Sequence, residues 1–246
     1  MWVIFTKEVR SFFSSLVGYL AVCIFLLVIG LFTWVFTETN ILDGRYANLD
    51  QLFSISPFIF MFLIPAITMR TFAEERQSGT IEFLLTKPIK DIEIVLGKYL
   101  ASLFLVFVAL LPTALYYYSV NQLGNPVGNI DGGAVLGSYI GLFFLAAVFV
   151  AIGLFASSLS SNQIVSFIVA VALCFTMYLA FMYLSSLPIF FGKTDSIVKQ
   201  LGINEHYLSM SKGKIDTRDI VYFITVIGFF VYLTFVTLSK RRWKHA

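Results

Sequence analysis

Between Asp131 and Lys193 the chain carries no charged residue. An apolar run of that length points to helices in lipid, because only helices and closed barrels satisfy every backbone N–H and C=O without water. About 20 mostly apolar residues cross the hydrocarbon core, so the run is too long for one helix. The polar stretch "SSLSSNQ" (157–163) divides it into two spans.

Four further apolar runs are long enough to cross. They are Leu16–Phe36, the uncharged stretch Gln51–Met69, roughly Tyr99–Val120, and Ile220–Ser239. With 59% hydrophobic and 13% charged residues, the composition lies outside the range of soluble domains. The predicted fold is therefore an all-α membrane protein with six transmembrane helices. The first run is longer than a signal-peptide core, and no small-residue cleavage site follows it, so it reads as the first span.

An even number of spans puts both termini on one side. Eleven Lys and Arg then share the terminal face, from Lys7 and Arg10 to Lys240 and Lys244, against six opposite. By the positive-inside rule this predicts cytoplasmic termini. The net charge of +3 is a topology signal of this kind, with no clustered basic face to read nucleic acid.

Several chemistries are excluded. No ionisable residue lies deep within a predicted span, which argues against proton relays and voltage sensing. "GKT" (192–194) lacks the earlier glycine of a phosphate-binding loop, since Leu187 stands there. His206 and His245 fall outside the spans, so no serine–histidine pair forms at membrane depth; His206 reads as structural. Cys23 and Cys174 lie in apolar runs and suggest neither a disulfide nor a metal site. Pro57, Pro65 and Pro112 are placed to kink spans two and three. Gly137 and Gly141 form a small-xxx-small pair, read as bundle packing before a dimer seam.

The longest loop on the terminal side is Arg70 to Lys98, and it has helix punctuation. "RTFAEERQ" extends span two, with Gly79 as a left-handed cap. "TIEFLLT" makes a short helix, and Pro88 stops it. Asp91 is then expected to N-cap the helix leading into span three. Ile81, Leu84 and Leu85 share one face of the short helix. That face either docks on a partner or packs under the bundle, and spacing alone leaves the two even. At the start of the chain, Trp2, Phe5, Val9, Phe12 and Leu16 share a face, with Lys7 and Arg10 elsewhere. This is an amphipathic helix for the membrane interface, serving either as a passive anchor or in an active role.

"EERQSGTIEFLLTKPIKDIEIVLGK" resembles the segment after the second span of ABC-2 type permeases. Glu75, Arg76, Gly79, Thr80, Glu82, Pro88, Gly97 and Lys98 fall on that family's pattern. The interface helix, and the short helices expected in an outer re-entrant segment at about 188–218, resemble the family as well. The resemblance implies a type V ABC exporter-like fold: an interface helix (1–15), a six-span domain (16–239) with a coupling loop at 70–98, and a basic cytoplasmic tail (240–246). It implies that Glu75, Arg76, Gly79, Thr80, Ile81, Glu82, Leu84, Leu85 and Pro88 serve ATPase coupling. The chain itself would hold no cofactor; two ATPase subunits would bind ATP and Mg. A second permease, identical or related, would complete a transporter in the inner membrane of a bacterium. Segments 74–98 and 203–222 are most similar to the gliding-motility-associated permeases of Bacteroidetes. A structural component of a motility or secretion machine, passing on ATPase movement without cargo, is the rival reading.

Overall fold

A computed structural model describes residues 1–37, 39–43, 46–85, 89–187 and 193–242. The chain is 84% helical, with no strand among the described residues. Helix α1 (Trp2–Ser14) precedes α2 (Leu16–Gly30), which ends in a wider π turn, Leu31–Val35. Then come α3 (Asp50–Thr68), α4 (Arg70–Gln77), α5 (Thr80–Leu85), α6 (Asp91–Leu110) and α7 (Ala114–Leu123). The remainder is α8 (Gly132–Leu159), α9 (Gln163–Phe175), α10 (Phe181–Ser185), α11 (Lys193–Leu201), α12 (Ile203–Met210) and α13 (Thr217–Arg242).

Among the described residues, six helical segments are long and apolar enough to cross a membrane: Gly18–Val35, Asp50–Gln77, Asp91–Leu123, Gly132–Leu159, Gln163–Ser185 and Thr217–Lys240. Helix α8 is the central post. It is apolar on every side, and Leu145 to Leu154 are all buried, as expected of a helix surrounded by others. Helices α9 and α13 are peripheral, with Ile164, Ile168, Val221 and Ile224 turned outward.

Both ends of the chain meet the start of α6. Gly97 lies so close to α1 that a Cβ there would stand 3.0 Å from Ile4. Ser239, near the end of α13, donates to Asp91 at 3.3 Å. This is the terminal end of the bundle; the opposite is the far end. Asp91, expected as the N-cap of α6, is instead its first helical residue. Lys90 holds the cap position, and its N–H reaches the Glu93 carboxylate at 3.3 Å. Glu93 thus satisfies the N–H of the cap residue itself, whereas an Asp91 cap would have served N–H groups further along the first turn.

Interruptions in the spans are repaired by side chains from other elements. Pro57 has no N–H to offer the carbonyl of Phe53. The hydroxyl of Tyr207, from α12, donates to that carbonyl at 2.5 Å. Where α3 passes into α4, Ser157 of α8 accepts from the N–H of Phe72 and Ala73 and donates to the carbonyl of Met69, all within 3.1 Å. Asn162 caps α9 through Ile164 and Val165. Pro112 falls in a 3₁₀ turn, Leu111–Thr113, between α6 and α7.

Glycine sets the closest approaches. A Cβ on Gly153 would overlap Thr68 Oγ1 of α3. Gly137 and Gly141 face Gly213 and Met210, so this pair of α8 packs against the far-end segment of its own chain.

Candidate functional site

The terminal end holds a knot of four charges drawn from three helices. Lys98 of α6 is 1% exposed. Its ammonium meets Glu8 of α1 at 2.8 Å, Glu75 of α4 at 2.9 Å and the Thr71 carbonyl at 2.9 Å. It also stands 5.1 Å from the centre of the Phe72 ring. Three donors thus have three oxygens and an aromatic face. Lys7 closes the knot from the solvent side, 2.8 Å from Glu75 and 3.4 Å from Glu8. Burial disfavours the Lys7 ammonium, but the bond and charge of Glu75, helped by Glu8, outweigh it and hold its pKa above the ordinary lysine value.

Each charge is placed by local structure. Glu8 stands four residues after Ile4, and both face the bundle from α1. Gly97 lets α1 approach, so that Lys98 beside it reaches Glu8. Glu75 lies one turn into α4, whose first turn Ser157 holds. Arg70 pairs with Glu74 one turn on and reaches Ser15 at 3.2 Å, a second link from α4 to the end of α1.

The predicted interface residues divide on α1. Trp2 is 72% exposed and stacks on Phe5, which meets Phe104 of α6 edge-on. Phe12 and Val9 are half-buried, and Arg10 is exposed. Leu16 is exposed past the end of the helix. The apolar face is therefore shared between bundle and surroundings, and the buried side is centred on Ile4 and Glu8.

Of the predicted coupling residues, Glu75 and Arg76 point into the bundle; Arg76 is buried. Gly79 has φ +70°, the left-handed region, and a Cβ there would meet no neighbour. Thr80 and Glu82 are exposed, and Ile81 is half-buried against the core. The side chains of Leu84 and Leu85, and Pro88 as a whole, lie outside the described residues. The loop therefore has two parts: α4 built into the bundle, and α5 beyond a glycine joint.

Sequence reasoning missed Glu8 altogether and counted Lys98 as a loop charge. Glu8 reads as an ordinary polar position of an amphipathic helix. Its only signal is the coincidence of a lone acid on the α1 buried stripe and a lone lysine two turns into α6.

At the far end, His206 is fixed among α11, α12 and α13. Its Nδ1 is 2.7 Å from Asp219, its Nε2 is 2.8 Å from the Gln200 carbonyl, and its ring stacks 3.9 Å from Tyr222. No group of three or more metal-ligating side chains occurs among the described residues.

A family model described as "ABC-2 family transporter protein" matches residues 43–202, well over half of the chain. No curated protein matches it significantly.

Proposed function

Since the chain belongs to the ABC-2 family of transporter membrane components, we propose that it is a permease driven by a separate ATPase through residues 74–98. One observation carries this reading: α4, which leads to α5, is tied by the Lys98–Glu75–Glu8 knot to α6 and α1 at once. A push on α5 would pass through the Gly79 joint into α4. From there it would enter α3 through the Ser157-held junction, and α6 and α1 through the knot. Four elements would then move as one body. That suits rigid-body rocking between two bundles, the motion that alternating access needs.

In this reading α5 is the coupling helix. Leu84 and Leu85, on one face by spacing, would enter a cleft of the ATPase, and α1 would be an active lever. The terminal end would be cytoplasmic, in the inner membrane of a bacterium. Two ATPase copies carrying ATP and Mg, and a second permease, would complete the assembly. The work delivered would be export, or gliding motility, to which the likeness of segments 74–98 and 203–222 points.

The test is to replace Leu84 and Leu85 together with Asp. Burying a leucine is worth about 1.5–3 kcal/mol, and a buried unpaired charge costs more. Co-purification of the ATPase should be lost while the permease still inserts. Gly79→Val strains the joint by about 1 kcal/mol or more, and should impair transport more than ATPase association. Full co-purification and activity of the double Asp variant would leave residues 80–86 as a solvated loop and remove the proposal.

A further inference from the structure

The far end contains a cavity of about 860 Å³ that the coupling scheme does not use. It lies between α3, α8, α10 and α12, with Tyr178, Leu179 and the partly exposed Phe58 at the depth of the spans and Asp50, Asp131 and Lys212 toward the far end. The depth follows from the helices. Asp50 opens α3 and Asp131 caps α8, whereas Phe58 lies eight residues further along, roughly 12 Å down the helix axis. We propose that this cavity binds a membrane amphiphile whose headgroup carries a primary ammonium and a phosphate, as phosphatidylethanolamine does.

The volume lies in the range of small-molecule sites, which are mostly apolar with a few placed polar groups. The apolar depth suits hydrocarbon at the level of the spans. The mouth suits a headgroup of both signs. Asp131 spends one oxygen on the N–H of Gly133 and Ala134. Asp50 receives Asn48 on one oxygen at 3.0 Å. Each keeps lone pairs for an N–H donor, and a primary ammonium brings three. A quaternary ammonium has none to give. Lys212, exposed on the same mouth, supplies the charge for a phosphate.

A second feature points to an acceptor on the occupant. Asn204 lines the cavity and is 8% exposed. Its amide nitrogen donates to the thioether of Met182 at 3.3 Å, a weak acceptor. A buried amide spent on sulfur gains from an incoming phosphate or ester oxygen.

The proposal needs only that the chain spans a membrane. Failure of ATPase co-purification would leave it standing. The experiment places the whole permease in vesicles of phosphatidylglycerol and phosphatidylcholine. A trace of phosphatidylethanolamine carries a diazirine on its acyl chain. Light should attach the probe within 178–183 or near Phe58. Excess unlabelled phosphatidylethanolamine should abolish the adduct, and excess phosphatidylglycerol or phosphatidylcholine should not. Asp50→Asn with Asp131→Asn keeps the α8 cap, since Asn caps as well as Asp, and should lower the adduct about tenfold. Ser54→Trp puts a bulky ring into the cavity one turn below Asp50, leaves the carboxylates alone and should also lower the adduct. Equal competition by all three lipids, adducts spread over the outward residues of α13, or unchanged labelling in both variants would overturn the proposal.

Discussion

Lys98→Met is the sharpest test of the knot. The substitution keeps the side-chain length and removes only the ammonium. Glu8 and Glu75, whose side chains are 11% and 14% exposed, would then face each other with Lys7 alone between them. Breaking a buried ion pair by deleting one partner costs about 3–5 kcal/mol, because the other charge stays buried. Lys7 still reaches both acids, but its side chain is 55% exposed, so water screens what it offers. The loss should therefore fall near the lower end, about 3 kcal/mol. For a chain of this size each kcal/mol lowers Tm by about 2–4 °C. The detergent-solubilised variant should thus melt about 6–12 °C early.

The assay has a second arm, because stability alone does not say which contact broke. Spin labels on exposed Ser11 and Ser78 report the spacing of α1 and α4, in a background without Cys23 and Cys174. Lys98→Met should broaden that distance. Adding Glu8→Gln and Glu75→Gln removes the stranded charges and should recover most of the loss, since a neutral replacement of a buried network is often tolerated. The contribution of Lys7 has a defined pH window. Its pKa is raised on folding, so its stabilisation is fully present below the ordinary 10.5 and is lost only as pH rises above that. The melting difference should therefore not change between about pH 7 and 9. A Tm drop under about 2 °C with an unchanged label distance would mean that apolar packing at Ile4 and Gly97 holds α1, and the charges contribute nothing.

Three further outcomes are expected. Tyr207→Phe strands the Phe53 carbonyl and should cost about 1–3 kcal/mol in a melting assay; adding Pro57→Ala restores the missing N–H and should recover it, and equal losses in the single and double variants would show that the repair is incidental. Gly153→Ala should destabilise through the clash with Thr68 Oγ1, and Thr68→Ala should relieve most of it; additive melting shifts would contradict the contact. Single cysteines at Ala47 and Asp131 should react with impermeant reagents in intact cells and Ser78 only after permeabilisation, because reaction at Ser78 from outside would reverse the assigned orientation.

Six spans could be read in the sequence because lipid imposes one requirement on every one of them. The break at "SSLSSNQ" was legible for the same reason: polar residues inside a long apolar run have to serve helix ends. Gly79 was legible because a glycine after a charged helical turn has few other uses. The roles of Ser157 and Tyr207 were not legible. Each repairs a backbone defect on another helix, 84 to 154 residues away in the chain. The sequence around a proline shows that a carbonyl has lost its donor, but not which distant hydroxyl replaces it.

The knot was hidden for a related reason. Positive-inside counting treats every lysine near a span end as a water-facing charge, Lys98 among them. Its burial depends on Gly97, which admits α1, and on Glu8, which arrives with it. Each of the three residues has an ordinary local reading: a small residue in a helix, a charge at a helix end, an acid on an amphipathic face. Only α1 folding back across the start of α6 makes them one site. The same crossing puts α1, α4 and α6 within reach of a single ammonium, so that no one of the three helices can tilt without stretching a bond of about 2.8–2.9 Å to the others. A loop that only connected two spans would not need its first helix held in this way.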